Sequence, residues 1–235
     1  MYTALFYVQA LLQLALLWWL LRIRRATGAA ACTVLLIPQL GLVYDNLVVA
    51  AGAALGVGQT LAALSWPRFW IHWLFGSWLI IVSGSIARLA GFAWARTRLA
   101  MGSWCVLTVA MMFLELPQFW RSTLQPVCEL GLVRYSTAVS ADKFCVAGET
   151  AVHSQFPVAP IVTCLVVIVV GAALAARRRF VWMLVGGLLM FVTATPLLMN
   201  LRLDNFGEVL LAAGCIWAID RFAKSDRFAK SPVVR

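Results

Sequence analysis

The sequence predicts an all-α polytopic membrane protein of seven transmembrane helices, N-terminus outside and C-terminus cytoplasmic, and three observations carry that expectation. Composition is the first: 63% hydrophobic and 12% charged residues over 235 positions leave too little polar surface for a soluble domain. The second is length, because seven apolar stretches come close to the roughly 17–25 residues a helix needs to cross about 30 Å of hydrocarbon. The third is where the charges fall. Arg22, Arg24, Arg25, Arg88, Arg96, Arg98, Arg177 to Arg179 and the C-terminal Arg221, Lys224, Arg227, Lys230 and Arg235 all fall on one side, fourteen of the 19 basic residues. The positive-inside rule makes that side cytoplasmic. The net charge of +10 therefore follows the bilayer, and no nucleic-acid partner is expected.

The first span, near residues 3–21, lacks a basic leader region and an Ala-x-Ala cleavage site and reads as a retained helix. The second, near 29–48, ends on Tyr44-Asp45-Asn46. Residues 49–65 either extend that helix or make a short outer re-entrant turn, with Gly52 and Gly56 at small-xxx-small spacing. The third span, near 66–88, opens with Pro67 in a position suited to a first helical turn. The fourth, near 99–120, leads into an outer segment of about 121–156 carrying Cys128 and Cys145. A disulfide there would restrain the segment, and the sequence leaves the pairing open; Cys32, Cys105, Cys164 and Cys215 sit in spans as small apolar residues. The last three spans lie near 157–176, 180–200 and 206–221. Residues 1–222 thus form the transmembrane domain and 223–235 a cytoplasmic tail. The tail region holds a hexapeptide, Asp220 to Ser225, repeated as Asp226 to Ser231. Two copies cannot build a solenoid, and Phe222 and Phe228 among basic residues suit either a solvated tail or an anionic leaflet.

Seven of the nine acidic residues fall towards the outer side. Glu129, Asp142 and Glu149 are ordinary loop acids, but Asp45, Glu115, Asp204 and Glu208 fall at one depth near the ends of three spans. A carboxylate in hydrocarbon is costly and faces a cavity or a partner, which makes these four candidate functional residues. Asp204 and Glu208 are four apart and share a helix face, as do Arg68 and His72. Tyr44, Asn46, Trp66, Phe69, Trp70, Gln118, Phe119, Asn200, Arg202 and Asn205 complete the candidate binding set. Individually, each has a plainer reading: an interfacial belt for Trp66, Trp70, Trp73 and Trp120, snorkelling for Arg68 and Arg202, packing for His72.

Carboxyls in a dry, aromatic chamber suit acid catalysis on a lipid-like substrate. Desolvation beside a second carboxyl favours retention of a proton, so one of Asp45, Asp204 and Glu208 is expected to act as a Brønsted acid. Aromatic faces would stabilise a travelling carbocation and keep water from it. On these residues the chain resembles the small integral-membrane terpene cyclases of fungal meroterpenoid and bacterial indole-terpenoid pathways. The likeness rests on length, helix number, and acids at the outer end of helix two and the start of helix seven, which fall on Asp45 and Asp204. It implies protonation of an epoxide or terminal alkene on a prenylated, farnesyl-type substrate, in a bacterial plasma membrane and without metal or nucleotide cofactor. The fungal members carry Glu at the first position, so Asp45 departs from them, and Glu208 is an additional candidate donor.

Other chemistries are weakened directly. The last span has no Lys for a retinal Schiff base, His72 and His153 cannot make a bis-histidine haem site, and no Cys-x-x-Cys, P-loop or dinucleotide fingerprint occurs. Two alternatives stand beside the cyclase: a transport or binding protein using the same cluster for protons or a solute, and a non-catalytic membrane subunit. The sequence is silent on oligomeric state.

Overall fold

The computed structural model describes residues 2–129, 131–137, 143–145, 157–194 and 204–230, the side chains of Tyr2, Asp204 and 226–230 excepted. The chain is predominantly helical. It runs α1 (Tyr2–Thr27), α2 (Ala30–Leu55), α3 (Gln59–Phe75), α4 (Trp78–Leu89), α5 (Ala93–Arg96), α6 (Arg98–Glu115) and α7 (Gln118–Arg121). A two-stranded ribbon follows, β1 (Gln125–Glu129) and β2 (Leu132–Ser136), and then α8 (Val158–Arg178), α9 (Trp182–Thr193) and α10 (Asp204–Lys230).

Among the described residues, four helices are long and apolar enough to cross a bilayer: α1, α2, the α6–α7 stretch and α8. The α3–α4 pair makes a fifth such unit if its two halves count as one; it is bent by 45° at the break around Gly76 and Ser77. Large apolar side chains such as Leu11, Trp18, Val106, Phe113 and Val169 point outward, as a lipid-facing surface requires.

Helix limits differ from the expected spans in three places. One is α10, which runs on to Lys230, past the expected end near 221 and into the expected tail. The other two lie around residues 49–65, where extension of helix two is one of the two readings the sequence allows. Helix two runs on to Leu55, and helix three begins at Gln59, so Pro67 lies inside α3 and not in its first turn. The apolar content of residues 49–65 is spent on extending both helices, leaving only three residues between them. The segment that follows α7 also contains structure that helical periodicity could not signal. In the β1–β2 ribbon Cys128 pairs with Val133 and Val127 with Arg134, around a turn in which Gly131 takes φ +78°. A disulfide joins Cys128 to Cys145, and Lys143 pairs with Glu129 at 2.9 Å.

The ribbon lies on the helices. Leu132 packs with Phe6, Val49 and Ala50, and Tyr135 with Val48 and Leu61. A Cβ on Gly52 would overlap the Val133 carbonyl, so the small residue there is what lets β2 approach α2. The main core gathers α1, α2, α4, α8, α9 and α10 around Leu35, Ile86, Leu174, Met183 and Ile216. Within it glycines allow backbone contact between helices: a Cβ on Gly171 would come within 2.6 Å of the Leu184 nitrogen, and one on Gly186 within 2.5 Å of the Leu210 carbonyl oxygen.

Ala in place of Gly raises helix propensity by up to about 1 kcal/mol anywhere in a helix, whereas overpacking costs about 1–3 kcal/mol. Gly186→Ala should therefore lower the melting temperature of the purified protein, while Gly102→Ala, whose Cβ meets nothing within 4 Å, should leave it unchanged or raise it.

Candidate functional site

One face of each of several helices turns inward on a chamber of about 490 Å³. Leu35, Gln39, Leu42 and Asp45 recur at helical spacing along α2; Arg68 with His72, and Phe69 with Trp73, do so along α3. On α10, Asn205, Glu208 and Ala212 form a similar row, and Glu115 closes α6. The bend at Gly76 and Ser77, the α8 residues Ala159, Pro160, Thr163 and Cys164, and Arg121, Arg134 and Thr137 near the ribbon complete the wall. The lining thus combines apolar side chains with charged ones.

At its centre is an ion pair. Arg68 Nε donates to Asp45 Oδ1 at 2.6 Å, with side-chain exposures of 7% and 5%. Arg68 Nη1 reaches the Tyr135 carbonyl on β2 at 3.4 Å. The other carboxylate oxygen accepts from Asn205 Nδ2 at 3.3 Å, and the same amide contacts Asn46 Oδ1 at 3.3 Å. His72 Nε2 lies 3.7 Å from Asp45 Oδ1, and its 39% exposed ring faces the chamber. Glu208 is within electrostatic reach of that imidazole, and the Ala159 amide donates to Glu115.

Of the residues expected from sequence, Asp45, Arg68, Phe69, His72, Glu115, Gln118, Asn205 and Glu208 line the chamber. Others do not. Tyr44, one position from Asp45, projects about 100° around the helix and donates its hydroxyl to the Leu64 carbonyl at 2.8 Å. Asn46 is fully buried beside the chamber, with its amide donating to the Leu42 carbonyl at 2.8 Å. Trp66 and Trp70 share a face of α3 other than that of Arg68 and His72, and Phe119 stacks behind the wall, 5.3 Å from Trp73 and 5.5 Å from Trp70. These five are second-row or outward residues because i and i+2 positions on a helix point apart. Asn200, Arg202 and the side chain of Asp204 lie outside the described residues; Asp204 itself opens α10.

Several wall residues were missed. Trp73, expected in an interfacial belt, lines the chamber. Gln39 was overlooked although a buried amide in an apolar span is itself a signal; its Nε2 donates to the Gln13 side chain at 2.7 Å and backbone at 3.0 Å. Among the described residues, Gln39 Oε1 and Thr163 Oγ1 are buried on the chamber without a protein partner. Such atoms suit a substrate hydroxyl or amide. Arg68, Asn205 and His72 all approach the Asp45 carboxyl with donor groups, so in this arrangement it serves as an acceptor and counter-ion.

No family model, curated protein or solved structure matches this chain.

Removing one partner of a buried pair costs about 3–5 kcal/mol, because the other charge is left unpaired. Arg68→Gln alone should lower thermal stability in detergent more than Arg68→Gln combined with Asp45→Asn. A double-mutant cycle of melting curves measures the coupling.

Proposed function

We propose that this is a membrane-embedded cyclase acting on a prenylated small molecule, with the polar end of the substrate against Gln39 and Thr163 and the prenyl chain along the apolar lining. One observation carries the reading: carboxyls from α2, α6 and α10 and an imidazole from α3 share one chamber inside an apolar helical bundle, of a volume within the roughly 300–1,000 Å³ typical of small-molecule sites.

In this reading Glu208 is the proton donor. Its proton passes to an epoxide oxygen or a terminal alkene carbon. The epoxide C–O bond or the alkene π bond breaks, neighbouring π electrons close the rings, and the final cation loses a proton to His72. Phe69 and Trp73, backed by Phe119 and Trp70, offer ring faces to the intermediate charge. Arg68 and Asn205 hold Asp45, which in turn orients His72 and supports the imidazolium left by that last transfer. The overall change is an isomerisation for the alkene and a ring opening with cyclisation for the epoxide; neither consumes an oxidant, a reductant or a metal.

The chain in this reading crosses the bilayer seven times, through α1, α2, α3 with α4, α6 with α7, α8, α9 and α10, with the β1–β2 ribbon outside and Arg177 to Arg179 in the cytoplasm. The charge asymmetry supports that orientation. One feature favours the rival reading of a transporter: the break between α3 and α4 lines the chamber at Gly76 and Ser77, and discontinuous helices surround solute sites in transport proteins.

Two experiments separate these readings. Purified protein in nanodiscs, given farnesylated acceptors with and without a terminal epoxide, should form cyclised product. Glu208→Gln should lower the rate by at least about 100-fold, the scale of general acid catalysis, without lowering the melting temperature. Absence of turnover together with His72-dependent uptake into sealed vesicles would replace the cyclase by the transporter. For topology, a cysteine introduced at Arg179 should react with an impermeant maleimide only in inverted vesicles.

A further inference from the structure

At the opposite end of α4 from the chamber, a second cavity of about 530 Å³ opens between the α4–α5 turn and the last turn of α8. Phe92, Trp94, Ala173 and Ala176 line it, with Arg177 and Arg178 at its edge. We propose that this notch binds the phosphate of an anionic phospholipid, with an acyl chain lying over the small residues of α8.

Three observations support it. First, two guanidinium groups from different elements, Arg178 of the cavity lining and Arg96 of α5 next to it, converge at Gly91 on the cavity wall. A Cβ placed on Gly91 would lie 3.1 Å from Nη2 of Arg178 and 3.4 Å from Nη2 of Arg96, so both donors reach the same point and a single phosphate can bridge them. Gly91 takes φ +80°, the conformation in which the chain turns while leaving that space clear. Second, the ion pairs among the described residues lie elsewhere, on Asp45, Glu129 and Asp220, and none engages Arg96, Arg177 or Arg178. Like charges brought together without a carboxylate repel, and a phosphate anion converts that repulsion into paired, charge-assisted bonds.

The third observation concerns depth. Phe92 and Trp94 are 5.6 Å apart between ring centroids, Trp94 is 45% exposed, and the Arg178 guanidinium lies 5.6 Å from the Phe92 centroid. Aromatic rings with one wet edge settle at headgroup level, which puts the arginines beside lipid phosphates and Ala173 and Ala176 beside acyl chains. A basic pocket between helices at this depth is suited to an anionic headgroup. A soluble anion would use the arginines but not the apolar floor.

Native mass spectrometry of the full chain tests the assignment with three probes: phosphatidylglycerol, phosphatidylcholine with the same acyl chains, and inorganic phosphate. Phosphatidylglycerol should be retained at least about tenfold over phosphatidylcholine, and Arg96→Gln with Arg178→Gln should abolish that preference. Arg96→Lys with Arg178→Lys, which keeps the charge but loses the planar fork, should retain an intermediate preference. Arg22→Gln with Arg25→Gln, on α1, should leave it intact. Equal retention of the two lipids, equal loss from the α1 variant, or binding of inorganic phosphate with no lipid preference would overturn the proposal.

Discussion

The buried contact between Arg68 and Asp45 is the constraint around which the polar part of the molecule is arranged. Neither charge is tolerable alone in a hydrocarbon-like interior, and each must also satisfy the hydrogen-bonding capacity its partner leaves over. The carboxylate does so through Asn205 on α10, and the guanidinium through the Tyr135 carbonyl on β2. One ion pair thereby fixes the relative positions of α2, α3, α10 and the β1–β2 ribbon. The chamber opens beside it, walled by these elements together with α6, α8 and the α3–α4 bend, and it carries polar groups where the pair is solvated by protein.

That dependence also accounts for what could be read in advance. Helical spans announce themselves through apolar length. The first, second, fourth and fifth predicted stretches fall on helices long and apolar enough to cross a bilayer, and the third on the bent α3–α4 pair. The last two are overlapped by α9 and α10 as far as the residues are described. Asp45, Arg68, His72, Glu115, Asn205 and Glu208 stood out for the same reason, since ionisable and amide groups are conspicuous in an apolar background. Which neighbours face inward was harder. Tyr44 and Asn46 flank Asp45 in sequence, yet helical geometry turns the tyrosine to Leu64 and tucks the asparagine behind the wall. Proximity along the chain was a poor guide there, and three- and four-residue spacing a better one.

The ribbon was illegible for a different reason. Its residues, Gln125 to Ser136, have no strong alternation, and its stability comes from docking: Leu132 and Tyr135 bury against α1, α2 and α3, and the Cys128–Cys145 bridge ties its far side. Gln39 and Thr163 were passed over because uncharged polar residues are common in spans; only the cavity shows that they share one wall with the acids.

The short link between α2 and α3 bears on how the protein is made. Asp45 and Arg68 are 23 residues apart, on neighbouring helices of one antiparallel hairpin, so the opposite charges leave the ribosome in close succession. Inserted as a pair, the two helices present the bilayer with a dipole in place of two separate ions, long before the rest of the bundle exists. Asn205 follows 160 residues after Asp45. The order of synthesis thus brings the two opposite charges together early and adds the Asn205 hydrogen bond only when α10, much further along the chain, has been made.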